Sequence, residues 1–214
     1  MYKPKHFQET NEELMCGLMQ AAPLATFIVE SEEGIVANHI PFVFNGAELC
    51  SGELQAHIPR ANPLSRILET ERPCLTIFHG PDGYISPSYY ATKPKHGKVV
   101  PTWNYCVVHV HGYAQLVDDA EWVRQQMELL TTLTEGSRPS PWAVSDAPAG
   151  FISALAKSLV GIRVSIERVE GKTKASQNQP QENQQSVLTF MDREGKNREL
   201  QSLMRSVLGD VNTR

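Results

Sequence analysis

Residues 104–117, NYCVVHVHGYAQLV, carry the plainest structural signal in the chain. Cys106, Val108, Val110, Ala114 and Leu116 fall on one face of an extended segment, and Tyr105, Val107, His109, His111 and Tyr113 fall on the other, which is the two-residue period of a β-strand. The first set is expected to point into a small β-barrel.

The segments around this strand agree with it. Runs rich in β-formers occupy residues 25–29, 35–44 and 49–54, with Asn45-Gly46 between two of them as a tight turn, so an antiparallel meander is expected. Residues 74–78 resume as a strand. Ile162, Val164 and Ile166 alternate with Arg163, Ser165 and Glu167, another half-buried strand, which leads into GKTKASQN at 171–178.

Helices interrupt this sheet rather than alternate with it. Thr10 and Glu13 form a capping box before Leu14, Met15, Leu18 and Met19, and Pro23 stops that helix. Asn62-Pro63 supplies an N-cap and an N1 proline for a helix over 64–71. Asp118 with Glu121 opens a helix striped by Val123, Met127 and Leu130 that ends near Gly136. Further helices are expected at 151–159 and around Val187, Leu188 and Met191. Residues 79–102, dense in Gly, Pro, Ser, Tyr and Lys, read as a long functional loop. The fold class is α+β: one domain over residues 1–214, an antiparallel barrel with peripheral helices and a helical C-terminal tail.

Composition narrows the function. Twenty Lys and Arg against 24 Asp and Glu give a net charge of −4, with no basic excess to neutralise a duplex, so direct DNA binding is not expected. The four cysteines form no CxxC pair and read as buried reduced thiols. MYKPKHF at 1–7 lacks the apolar run of a signal peptide, and no later stretch is apolar enough to span a bilayer, so the expected location is cytoplasmic, with no membrane partner. There is no P-loop, nucleophile elbow or glycine-rich dinucleotide fingerprint.

Aromatic, hydroxyl and proline residues cluster in AHIPRANP at 56–63, YISPSYY at 84–90 and PTWNY at 101–105. Arg60 precedes a short helix, where guanidinium and helix N–H groups could converge on a phosphate; the alternative is an exposed loop arginine. The two aromatic segments could hold an isoalloxazine ring, or pack as a loop. Lys172, Lys174 and Ser176 alternate, so an extended backbone would aim all three to one side, toward a phosphate or ribityl chain, unless the segment is a solvated basic turn. His109 and His111 share a strand face but lack a third metal ligand of convincing spacing, and read as surface or interface histidines.

Taken in order, MYKPKHF, HIPF at 39–42, HIPRANP at 57–63, GPDGYISPSYY at 80–90, VPTWNY at 100–105 and GKTKASQN resemble the PaiB-type family, described as FMN-binding negative transcriptional regulators. The resemblance implies an FMN-binding split β-barrel of the flavin-reductase and pyridoxamine-oxidase kind, with FMN in the groove between two subunits of a homodimer. Carried over by position, it implies cofactor contacts at Arg60, Asn62, Ser86, Ser88, Trp103, Asn104, Tyr105, Lys174, Ser176, Gln177 and Asn178, and no metal. The chain departs from the family pattern at Ala56, Pro59 and Tyr89. Two functions are compatible with it: a flavin-binding regulator, and an FMN-dependent oxidoreductase acting on a small molecule. A haem-binding relative with His109 or His111 on iron is a third, and would need those histidines to face a deep apolar cleft.

Overall fold

In the computed structural model, which describes residues 1–32, 34–195 and 197–209 and only the backbone of Cys50, the diagnostic segment is β7 (Thr102–Val117). Cys106, Val108, Val110 and Ala114 are buried on one face, and Tyr113 is exposed on the other, as its alternation requires. The remaining strands are β1 (Gln8–Glu9), β2 (Leu24–Ser31), β3 (Gly34–Pro41), β4 (Val43–Asn45), β5 (Glu53–Pro59), β6 (Arg72–Ile85) and β8 (Leu159–Lys174). They form one antiparallel-paired sheet in the order β3-β2-β6-β7-β8-β5-β4, with β1 on β8. The helices are α1 (Glu12–Ala21), α2 (Leu64–Ile67), α3 (Lys93–His96), α4 (Ala120–Glu135), α5 (Ala149–Ser158), α6 (Gln181–Glu194) and α7 (Arg198–Leu208).

The chain divides into two compact units, and β6, β7 and β8 give residues to both. The larger unit, Asn11–Phe78 with Val108–Glu170, has an apolar core built on Phe27, Phe42, Leu54, Phe78, Val110, Ile162 and Val164, all nearly inaccessible. Its register is fixed by long ladders, β2 on β3 from Leu24↔Pro41 to Ser31↔Gly34, and β5 on β8 from Glu53↔Ser165 to Pro59↔Leu159. Gly112 of β7 is required here by space: a Cβ would lie 2.1 Å from the Ser165 carbonyl oxygen of β8. The terminal unit, Met1–Thr10 with His79–Val107 and Gly171–Arg214, has its own smaller core of Ile85, Tyr90, Ala175, Val187, Leu188, Met191, Leu200 and Met204.

Several local expectations are corrected. The cap of α1 is Asn11, whose side chain accepts from the Leu14 amide at 3.2 Å, one residue beyond Thr10. Likewise Asp119, not Asp118, caps α4, accepting from Glu121 and Trp122. The buried stripe of α4 is Val123 and Gln126, with Met127 and Leu130 only half-buried. Asn45-Gly46 is not a two-residue turn: β4 and β5 pair from Asn45↔Glu53, and Leu49 between them is drawn into the core. Gly46 serves close approach instead, a Cβ there lying 2.5 Å from the Gly52 Cα. β5 accordingly starts at Glu53 and runs on through AHIP, because its ladder with β8 extends that far.

α2 is one turn, Leu64–Ile67, rather than a helix to residue 71. Arg72 precedes Pro73, which disfavours helical backbone there, and β6 begins at that residue. Residues 79–102 are not a loop throughout either. Sheet pairing carries β6 through Gly80, Pro81 and Gly83 to Ile85, after which a 3-10 turn (Pro87–Tyr89) and α3 follow. Cys74 and Cys106 are buried thiols, Cys16 is half-buried, and burial pushes the Cys74 thiol up to about 12.

Candidate functional site

In the terminal unit, three strand segments assemble a strip of rings and ammonium groups. Trp103 and Tyr105 share a face of β7 by the two-residue period. Trp103 meets Tyr84 of β6 edge to face at 6.1 Å, and both rings are about half exposed. The Lys172 ammonium of β8 lies 5.2 Å from the Tyr105 ring centroid and 5.9 Å from that of Tyr2, and it donates to the Tyr2 carbonyl at 3.1 Å. Two residues on, Lys174 bonds the Thr102 hydroxyl and lies 5.8 Å from the Phe7 ring. Among the described residues no carboxylate pairs with either lysine. Burial holds Lys174 below the ordinary lysine range.

Ser176 does not continue this alternation. Its φ is +66°, a left-handed conformation that ends the strand and turns the hydroxyl inward. There the fully buried Asn104 Nδ2 donates to Ser176 Oγ at 2.9 Å and also faces Met204 Sδ at 3.4 Å. Gln177 folds back on its own strand: Nε2 donates to the Thr173 carbonyl, and Oε1 accepts from the Ala175 amide, both at 2.6 Å. Asn178 is exposed. Ser86 caps the 3-10 turn by accepting from the Ser88 amide at 3.2 Å, and the two hydroxyl oxygens are 2.7 Å apart.

Arg60 and Asn62 belong to the larger unit. Arg60 makes a two-pronged pair with Asp118, at 2.8 and 2.6 Å, and reaches the Lys157 and Leu159 carbonyls at 3.4 and 3.3 Å. That hydrogen bonding holds the Asp118 carboxyl below the usual range. Asn62 Oδ1 accepts from the Leu64 amide at 3.0 Å, at the start of α2. His111 Nε2 is 3.1 Å from Glu170 Oε2, which also pairs with Arg168 at 2.6 Å. No group of metal-ligating side chains occurs among the described residues.

The structure thus brings together Trp103, Tyr105 and Lys174 on one strip, and Asn104, Ser176 and Gln177 behind it. It keeps Lys172, which the sequence had aimed at a phosphate, and adds two residues that the sequence did not single out, Thr102 and Gln184. Lys172 was signalled by its alternation with Lys174. Thr102 carried no signal beyond lying next to Trp103. Gln184 of α6, which donates to the Ser176 and Gln179 carbonyls at 3.3 and 2.8 Å, had none. The donor chemistry fits FMN: two ammonium groups without carboxylates and one hydroxyl suit a phosphate, and adjoining half-exposed rings suit a flat conjugated system.

Residues 1–168 match the family described as "Putative FMN-binding domain". The chain belongs to this FMN-binding family. An uncharacterized protein of Emericella nidulans is 33% identical over 192 residues, covering 75% of this chain and 76% of its own length. The Bacillus subtilis protein named protease synthase and sporulation protein PAI 2 is 27% identical over 194 residues, 91% of this chain and 90% of that protein, in keeping with the PaiB-type resemblance. Among solved structures, the FAD and haem binding protein from Mycobacterium smegmatis superposes with a TM-score of 0.58 at 19% identity, over 78% of this chain and 73% of that one. That likeness concerns the fold, an α+β split β-barrel. FMN, the cofactor expected from the sequence, is the one the family carries. The matched span ends before residues 171–178, so Lys172 and Lys174 rest on their geometry and not on the family match.

Proposed function

We propose that this FMN-binding split-barrel protein holds the FMN phosphate with Lys172, Lys174 and Thr102 and lays the flavin ring against Trp103, Tyr105 and Tyr84. The observation that carries this reading is the pair of strand-borne lysines that have no carboxylate partner among the described residues and are flanked by aromatic rings. Two ammonium groups held two residues apart on one strand face repel each other, and a dianionic phosphate relieves that repulsion. When bound, FMN supplies a two-electron redox centre. The protein's own groups fix the phosphate, orient the ring and shield one of its faces from water. Asn104, Ser176 and Gln177 stand behind the strip as its support, and Ser86 and Ser88 stay available for the ribityl hydroxyls.

The reading includes a homodimer, in which a second subunit covers the β7 face that bears Tyr113, 41% exposed. It includes a cytoplasmic location, and no helix among the described residues is long and apolar enough to cross a membrane. The PaiB-type resemblance adds a regulatory role, in which flavin occupancy or redox state alters a partner contact.

The test is FMN titration of the full chain by flavin fluorescence, with the Lys172→Met, Lys174→Met double variant alongside. Loss of two charge-assisted contacts should raise Kd about 100-fold. An unchanged Kd refutes the assignment. Light scattering that gives a monomer at micromolar concentration refutes the dimer.

A further inference from the structure

Lys174 sits at the last position of its strand, where a side chain would ordinarily swing with a fraying end, yet three separate devices immobilise the backbone around it. Gln177 spans the residue: its amide takes the carbonyl of Thr173 on one side and the N–H of Ala175 on the other, each at 2.6 Å. Ser176 is locked in its left-handed conformation by the buried Asn104 amide. Gln184, from the first turns of α6, draws in the Ser176 and Gln179 carbonyls, tying the strand end to the helix that follows. A non-glycine residue held at positive φ costs free energy, and such strain persists where the surroundings over-determine it, which is common at binding sites. All this hydrogen bonding ends on backbone atoms or on the buried Asn104 and Ser176 side chains.

We propose that Gln177 and Gln184 are positioning residues for Lys174: they fix the strand end that carries its ammonium and do not contact the ligand themselves. This rests on the reading of Lys174 as a phosphate-holding group. It parts from the expectation that Gln177 contacts the cofactor, because both ends of its amide are already bonded to the main chain. Gln184 enters only through the structure, since its partners are carbonyls that no sequence pattern reveals.

A double-mutant cycle on the full chain tests it, with FMN as the probe and Gln177→Met, Lys174→Met and the pair as variants. Gln177→Met should raise Kd about tenfold when Lys174 is present, the scale of one lost hydrogen-bonding group, and less than about twofold when Lys174 is already methionine. Gln184→Met should follow the same pattern with a smaller loss, and it guards against a Gln177 variant that fails to fold. A Gln177→Met loss of equal size in both backgrounds means direct ligand contact or general damage and overturns the proposal, as does no loss in either. If Lys174→Met binds FMN as tightly as the parent, the assignment of the phosphate site fails first, and that outcome is separable from a failed cycle on a weakened Lys174→Met. The pH profile gives a second readout: Gln177→Met should move the alkaline loss of FMN binding toward the ordinary lysine range, because a freed strand end lets the ammonium reach water.

Discussion

The two units differ in charge and in what fills them. The terminal unit holds twelve Lys and Arg against seven Asp and Glu, a net charge of +5, whereas the larger unit holds eight against seventeen, a net charge of −9. Residues 83–117 contain no carboxylate at all. Among the described residues, the terminal unit also buries six polar side chains, Thr92, Asn104, Thr173, Ser176, Asn183 and Gln201, against three in the larger unit, Gln55, Thr76 and Gln126. The larger unit is thus held mainly by apolar burial, and the smaller one leans on hydrogen bonds that specify a geometry. A net charge pooled over the whole chain averages an acidic larger unit with a basic unit that carries the proposed phosphate site, and so conceals the feature on which that proposal turns.

The contrast can be broken most sharply in the core. Phe27→Ala should cost about 3–5 kcal/mol of stability by denaturant unfolding, as for a large buried aromatic, while FMN affinity of the folded protein stays within about twofold. A large fall in affinity under folded conditions would erase the distinction between scaffold and site. Asn104→Leu should cost less, about 1–3 kcal/mol, because it leaves the buried Ser176 hydroxyl without its partner. Unlike Phe27→Ala, it should also weaken FMN binding.

Titration sharpens the comparison further. Burial depresses the Lys174 pKa, so its ammonium loses its proton at a lower pH than an exposed lysine. Phosphate binding needs the charged form. Affinity is therefore kept below that pH and falls, by up to about tenfold, as pH rises through it. Lys174→Met should remove this alkaline limb, and a limb that survives would place the titrating group elsewhere.

The basic terminal unit predicts weak association with DNA despite the acidic total, without preference between an upstream region and a scrambled duplex, and lost as salt rises. Nanomolar, sequence-selective binding in an anisotropy titration at physiological salt would make the protein a direct reader of DNA. The smallest effect is expected at Arg60. Its guanidinium is engaged by Asp118 in an exposed pair, so Arg60→Ala should leave FMN Kd within about twofold. A tenfold loss would bring the larger unit into the site.

Much of the fold was legible because long-period signals survive tertiary context: the alternation of β7, the Met15 and Met19 pair of α1, though not Leu14, which is exposed, and the Ile162, Val164, Ile166 strand stand where the sequence placed them. Caps slipped by one residue, because Thr10 and Asn11, like Asp118 and Asp119, are adjacent residues with equal chemistry. Which one caps depends on where the preceding strand releases the chain. The stretch 79–85 misled because Gly and Pro signal turns locally, while pairing within a sheet overrides them. α7 was missed although Leu200, Leu203, Met204 and Val207 have helical spacing. Of the site, the lysine alternation was readable. The left-handed break at Ser176 was not, since serine carries no signal for positive φ, and neither were contacts made to main-chain atoms.

Position 176 answers to two demands that few residues meet together. A left-handed backbone favours glycine, and tolerates asparagine, but the buried Asn104 amide calls for a small hydroxyl. Glycine would relax the backbone and strand the amide; alanine would satisfy neither; threonine would add a branch where φ already crowds the Cβ. In a saturation library selected for flavin retention, serine should dominate this position while its exposed neighbour Asn178 drifts, a narrow passage in sequence space beside a wide one.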